Sequence, residues 1–458
     1  MKRCYNITVV KTTYHLIHHI YERIHIMQAI LSLSVALMAG LLLSRLAKLA
    51  KLPAVTAYLI AGILIGPYLI GRIGIPGLGF ASMHEIELFS GFSEVALGFI
   101  AFSIGNEFRL SQLKATGKQA TVIGIFQAVI TTLLVDAVLI GLHFLMPDKL
   151  PLEAAIVLGA IASATAPAAT LMVVKQYKAK GPLTDILLPI VALDDAVGLV
   201  LFSISFGIAK GLKSGSVSIV SIILEPIIEV VLSLLLGALM GYLFTFFERF
   251  FHSNSKRLSM SLAFVLLTVA LSMIKFEIGG IHCAFSSLLV CMMLGTIFCN
   301  ICDFSEELME RVDKWAAPLL IIFFVLSGAE LELSVFTDIA IVVIGIVYIL
   351  SRSAGKYFGT LFSSKQVKCG PTIVKYLGIT LLPQAGVALG MAMKAYQLGD
   401  QGVVISNVTL FAVLIYEIVG PLLTKIALTK AGEINEDEKV SRREEVKAAM
   451  EQQAEETK

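Results

Sequence analysis

The chain has 458 residues, of which 57% are hydrophobic and only 15% charged, and its mean hydropathy is +0.85. These values exclude a soluble domain, which would expose too much apolar surface, and apolar runs of about twenty residues, long enough to cross a bilayer, recur throughout. The net charge of +2 gives no ground for a nucleic-acid partner, and the placement of the basic residues says more than their sum.

In chain order, residues 1–26 come first. They carry Lys2, Arg3, Lys11 and Arg23, and four of the eight histidines (His15, His18, His19, His25). They lack the apolar core and small-residue cleavage site of a signal peptide. The segment reads as an over-extended start with Met27 the true initiator, and a His-rich metal-binding arm is the second reading. A membrane domain over 27–430 follows. Its thirteen apolar segments lie near 28–46, 53–71, 86–106, 120–146, 152–174, 183–208, 217–246, 258–275, 281–300, 315–330, 337–361, 372–395 and 403–428. The expected fold is therefore an all-α polytopic membrane protein with short loops and mostly antiparallel neighbours. The charged tail, 431–458, reads as a solvated helix or as disordered.

If the first segment enters from outside, the inner loops hold sixteen basic residues between Arg45 and Lys368. The outer loops hold four (Arg72, Lys149, Lys210, Lys213). Lys and Arg gather on the cytoplasmic side, so the C-terminus is expected in the cytoplasm. Among the six cysteines, Cys299 and Cys302 have metal-like spacing. They stand alone at a helix end and read as packing residues.

An internal repeat is visible. Gly105 and Glu107 at the end of the third segment match Gly328 and Glu330 at the end of the tenth. The fifth and twelfth segments are each interrupted, by Ala164-Thr165-Ala166-Pro167 and by Leu382-Pro383-Gln384-Ala385-Gly386. Matched segments lie seven apart, an odd number, so the copies run in opposite directions. The expected architecture is a 6+1+6 inverted repeat, with halves near 28–208 and 258–428 and a linker helix near 217–246. Proline removes a backbone donor and pushes the preceding residue out of helix. Breaks at Pro167 and Pro383, the second eased by Gly386, are tolerated at membrane depth only where they face protein or a wet cavity. Paired breaks in two halves point to a transporter's binding site. Pro and Gly that merely serve helix packing are the bland alternative.

The sixth segment contains Asp194 and Asp195 near its middle. An ionised carboxylate there costs on the order of 3 kcal/mol, so a cation or proton site is the default reading. Neighbours on one helix diverge by roughly 100°, which separates the pair in direction and argues against an aspartic-protease dyad. Arg352 and Lys356 lie one turn apart on the eleventh segment. Arg352, nearer the depth of the aspartates, is the favoured partner of Asp194, with Lys356 the alternative. Glu94, Asp136, Glu229 and Glu417 also fall within segments, and Glu94, Glu229 and Glu417 are kept as proton-relay candidates.

Several motifs resemble a known family. Leu52-Pro-Ala-Val-Thr-Ala-Tyr-Leu-Ile-Ala-Gly-Ile-Leu-Ile-Gly-Pro67, Thr165-Ala-Pro-Ala168, Leu193-Asp-Asp-Ala196 and Lys430-Ala-Gly-Glu433 are similar, in order and spacing, to motifs of the monovalent cation:proton antiporter-2 family. That family includes bacterial sodium/proton antiporters and Kef-type potassium efflux systems. The resemblance implies a homodimer in the cell membrane, with a core built around two crossing broken helices and no cofactor. It implies that Asp195 binds cation and proton in turn while Asp194 pairs with the basic residue. The chain departs from the family in having no nucleotide-binding regulatory domain of the Kef kind. Ala166 also stands where some relatives carry an aspartate.

The function expected from all this is Na⁺/H⁺ antiport, with K⁺/H⁺ exchange as the alternative. Burial favours a neutral carboxyl and a nearby cation favours an ionised one, so H⁺ and Na⁺ can compete at Asp195. Thr165 and Ser163 are expected to offer neutral oxygens to the ion. A channel is disfavoured because no filter loop or Arg ladder is present. The diverging dyad argues against an intramembrane enzyme.

Overall fold

The computed structural model describes residues 27–434 apart from 51, 76–77, 107, 215–218, 275, 279–280, 303 and 332. The readings of residues 1–26, of Glu107 and of the tail beyond 434 lie outside the described residues. Among those described, the helices are α1 (Met27–Leu49), α2 (Ala54–Ile65), α3 (Met83–Glu87), α4 (Ser90–Asn106), α5 (Leu110–Leu145), α6 (Leu152–Ile161), α7 (Pro167–Tyr177) and α8 (Pro182–Ser214). They continue with α9 (Ile219–Glu248), α10 (Asn254–Ser272), α11 (Ser287–Ile301), α12 (Ser305–Glu330), α13 (Ile339–Gln366), α14 (Pro371–Thr380), α15 (Gly386–Ala395) and α16 (Asp400–Lys430). Among the described residues, nine helices are long and apolar enough to cross a membrane alone. The rest of the expected thirteen crossings are the shorter α4 and α11 and two broken pairs, α6 with α7 and α14 with α15.

The ninth segment departs from its expected bounds. Its first residues form β2 (Ile281–Cys283), antiparallel to β1 (Phe276–Ile278). Helix begins only after Ser286, whose hydroxyl accepts from the Leu289 N–H at 3.4 Å. Ser is a preferred N-cap because its oxygen satisfies one of the helix's first free donors.

Packing divides the helices into two bodies. One joins α5–α8 to α13–α16, with α5 lying along α13 at its centre. The other joins α2 to α12 and α4 to α11, with α9 and α10 against α11. Each half of the repeat donates the same elements to each body, as an inverted repeat requires. We call the first the core and the second the scaffold.

The matched glycines hold the scaffold's helix pairs in close contact. A Cβ on Gly105 would stand 1.9 Å from the Met292 carbonyl, and one on Gly295 would stand 2.2 Å from that of Phe102, so α4 and α11 meet backbone to backbone. In the matching pair, a Cβ on Gly328 would stand 2.1 Å from the Leu59 carbonyl and one on Gly62 would stand 2.0 Å from that of Val325, so α2 and α12 meet in the same way. Lipid tails are as apolar as leucine, so membrane helices associate through such close packing. Cys299 sits in the same seam, with its Sγ 3.7 Å from the Gly105 carbonyl.

Candidate ion-binding site

Both breaks form where proline dictates. Ala166, before Pro167, is extended (φ −80°, ψ 104°), and Pro167 opens α7 at the position where its missing N–H costs nothing. Pro383 lies between the end of α14 and the start of α15 at Gly386. The two breaks cross, and the Ala166 N–H donates to the Pro383 carbonyl at 2.8 Å.

Each broken helix leaves carbonyls at the end of its first half without a helical donor. Arg352 satisfies three of them. Its Nε donates to the Ala162 carbonyl at 3.0 Å. One terminal nitrogen donates to Leu382 at 2.7 Å and the other to Ala164 at 2.7 Å. The guanidinium is wholly buried, and the Tyr416 ring lies over it with Cζ 4.4 Å from the ring centroid. A rigid fork of donors suits this three-way contact. Gln384 adds a bond from Nε2 to the Ile161 carbonyl at 3.0 Å and exchanges contacts with the Tyr348 hydroxyl.

Arg352, the partner favoured from the sequence, therefore does not pair with Asp194. Lys356 does: its Nζ lies 2.9 Å from Asp194 Oδ2, with both side chains fully buried. Lys356 does not snorkel to water, because it also donates to the Ser163 carbonyl at 2.5 Å and to Thr165 Oγ1 at 2.9 Å. Depth along α13 favoured Arg352; the unmet carbonyls of the breaks drew it away.

Asp194 is saturated. Besides Lys356, Thr165 Oγ1 donates to its Oδ2 at 2.6 Å, and the Gln127 side-chain amide donates to its Oδ1. Asp195, only 2% exposed, is its opposite: among the described residues neither oxygen has a hydrogen-bond partner. A buried acceptor without a partner is rare and calls for an explanation. Ser163 lies in the same break. Its hydroxyl donates back to the Ala160 carbonyl at 2.7 Å, which leaves the oxygen's lone pairs free to accept, and its carbonyl accepts from Lys356.

A cavity of about 1140 Å³ opens between core and scaffold, lined by Lys175, Lys178, Lys180, Asp185, Asp313 and Lys314 among others. These residues belong to the loops and helix ends expected in the cytoplasm. Its deepest α8 residues, Leu188 and Pro189, stand about 8 Å along the helix from Asp194 at 1.5 Å per residue. Lys175 of the core and Asp313 of the scaffold bridge its wall at 2.5 Å.

Of the relay candidates, Glu94 on α4 and Glu229 on α9 are scaffold residues. Glu417 is buried on α16 beside Tyr416, and its Oε2 has no hydrogen-bond partner among the described residues. Asp136 lies against Gly159 of α6, where no Cβ could fit beside its carboxylate. Gln127, Gln384, Tyr348 and Tyr416 were missed from the sequence. Gln127 and Gln384 carry a signal, since each is a lone amide in an apolar stretch.

With this geometry in hand, the comparisons are direct. Residues 33–430 match the family model described as sodium/hydrogen exchanger, transmembrane. The chain belongs to the sodium/hydrogen exchanger family. Solved structures of the sodium proton antiporter MjNhaP1 from Methanocaldococcus jannaschii have the same fold. One at pH 8 aligns with a TM-score of 0.63 at 20% identity, covering 89% of this chain and 99% of that one. A map by electron microscopy aligns with a TM-score of 0.63 at 19% identity, covering 89% and 96%. No curated protein sequence matches the chain. As a member of the exchanger family it is a multi-pass membrane transporter that performs cation/proton antiport.

Proposed function

We propose that the chain exchanges Na⁺ for H⁺ by alternating access, with Asp195 holding the cation and the proton in turn. The observation that carries this reading is the contrast within the aspartate pair. Asp194 is engaged by Lys356, Thr165 and Gln127, whereas Asp195 has two unengaged oxygens in a buried site. A dehydrated cation or a proton supplies what those oxygens lack. Motion of the core against the scaffold would carry the site from one face to the other.

Lys356 as the partner bears on stoichiometry. A guanidinium keeps its proton, but a buried ammonium can release one. Asp195 and Lys356 together can move two protons per Na⁺, which makes the exchange electrogenic. The protein works in this reading as a homodimer in the cell membrane with its C-terminus cytoplasmic, in keeping with the basic loops and the family resemblance. K⁺/H⁺ exchange is the second reading, because a lone carboxylate does not itself choose between the two ions. The test is ΔpH dissipation in proteoliposomes on addition of Na⁺, K⁺ or Li⁺, with and without an ionophore clamp on voltage. Na⁺ should collapse ΔpH fastest, and the rate should depend on voltage. A response to K⁺ alone would overturn the choice of cation.

A further inference from the structure

The end of the membrane domain makes a contact that the antiport mechanism has not used. Helix α16 ends at Lys430 with Ala431 as its C-cap, and Gly432 follows with φ 79°. The Gly432 N–H donates to the Thr429 carbonyl at 3.0 Å and the Glu433 N–H donates to that of Leu428 at 3.1 Å. This is the Schellman ending, in which a left-handed glycine turns the chain and satisfies the last free carbonyls.

The turn throws Glu433 onto the first turn of α8, the helix that carries both aspartates. Its carboxylate accepts from the Leu183 N–H at 2.6 Å, the Thr184 N–H at 2.8 Å and the Thr184 hydroxyl at 2.7 Å. Its own carbonyl accepts from the Lys180 N–H at 3.1 Å. A carboxylate at a helix N-terminus meets both the free donors and the positive end of the helix dipole. The fit is close: a Cβ on Gly181 would stand 2.6 Å from the Glu433 carboxyl carbon.

The opposite ends of the same helices are also tied. Lys213, in the last turn of α8, donates to the Leu398 carbonyl at 2.5 Å and to Gln401 Oε1 at 3.1 Å, at the start of α16. The repeat makes α8 and α16 counterparts, and each is pinned to the other at both ends.

We propose that Glu433 is a positioning residue for antiport: it fixes the axial placement of α8, and with it the placement of Asp195 against Lys356 and the crossed breaks. The inference rests on Asp195 as the ion carrier. A helix released at its N-terminus can slide or tilt, and the first cost falls on the geometry in which the cation is bound, not on the number of folded transporters.

The test is Na⁺-dependent ΔpH dissipation by the full-length protein in proteoliposomes. Glu433→Ala, Glu433→Gln and Gly181→Ala are compared with Lys430→Ala, which alters an exposed residue at the same helix end. Gly181→Ala keeps the carboxylate but occupies its place. The apparent KM for Na⁺ should rise about fivefold or more in Glu433→Ala and Gly181→Ala, a typical coupling between linked sites. Glu433→Gln, which keeps one acceptor oxygen, should fall between them and the unaltered protein. The maximal rate should change less than KM, and Lys430→Ala should change neither. An unaltered KM in Glu433→Ala and Gly181→Ala overturns the proposal. If Glu433→Ala fails to accumulate in the membrane, an unaltered KM in Glu433→Gln and Gly181→Ala overturns it equally. Absence of any Na⁺ response in the unaltered protein would instead count against Na⁺/H⁺ exchange itself, so the two failures are distinguishable.

Discussion

Replacing Lys356 by methionine keeps most of the side-chain volume but leaves Asp194 with only the Thr165 hydroxyl and the Gln127 amide. Breaking a buried ion pair by removing one partner costs about 3–5 kcal/mol. The stranded carboxyl can instead fold with a proton. At pH 7 that route costs about 4 kcal/mol for a group that ionises near 3.9 in the unfolded chain. The two routes are comparable, so a loss of about 4 kcal/mol is expected at neutral pH. In the protonated route, the native variant holds one more proton than its unfolded form. Its stability therefore falls by about 1.4 kcal/mol per pH unit as pH rises above the unfolded value, and recovers as pH falls towards it. The gap between the unaltered protein and Lys356→Met should widen by about 2 kcal/mol from pH 5.5 to pH 7. Denaturant unfolding of the detergent-solubilised protein at both pH values reads this difference. Arg352→Met is the control. Arg352 donates to three carbonyls and to no carboxylate, so its loss should destabilise by an amount that pH leaves unchanged. A pH-dependent gap for Arg352→Met and a constant one for Lys356→Met would refute the assignment of partners.

Three further outcomes follow from the same structure. Gly105→Ala or Gly328→Ala drives a Cβ into the backbone of the facing helix, and should destabilise by about 1–3 kcal/mol. Gly390→Ala, with open space around it, should cost nothing in the same denaturant unfolding. Lys356→Arg keeps the charge but removes the releasable proton; whatever antiport survives should lose its voltage dependence, and an unchanged voltage dependence would count against two-proton exchange. Partial burial pushes the Cys369 thiol up from its ordinary range. In a variant with the other five cysteines replaced by serine, it should react slowly with a maleimide near neutral pH and faster as pH rises. It should react only from the cytoplasmic side, and labelling from outside would reverse the proposed orientation.

Much of this fold was legible because a bilayer narrows the choices. Length and apolarity announce each crossing, and the motif pairs Gly105/Gly328 and Pro167/Pro383 revealed the inverted repeat. Proline also foretold where the helices break. The sequence was less informative about what fills a break. Arg352 and Lys356 are one turn apart and chemically similar from a distance, and only the positions of the Ala162, Ala164 and Leu382 carbonyls separate a cap from a counter-ion. The paired strands before α11 did carry a signal that was passed over, since Phe276-Glu-Ile278 and Ile281-His-Cys283 alternate on either side of Gly-Gly. The Glu433 contact joins residues 250 positions apart, beyond the reach of any local pattern.

The central claim is that Asp195, and not its saturated neighbour, carries the ion. It is tested most directly by Na⁺-driven ΔpH dissipation in proteoliposomes containing Asp195→Asn at the same protein density as the unaltered chain. Asparagine keeps the size and the burial but removes the charge that cation and proton compete for. The account predicts that Na⁺ no longer dissipates ΔpH although the protein remains folded. Coupled Na⁺/H⁺ exchange at the unaltered rate in Asp195→Asn would contradict it.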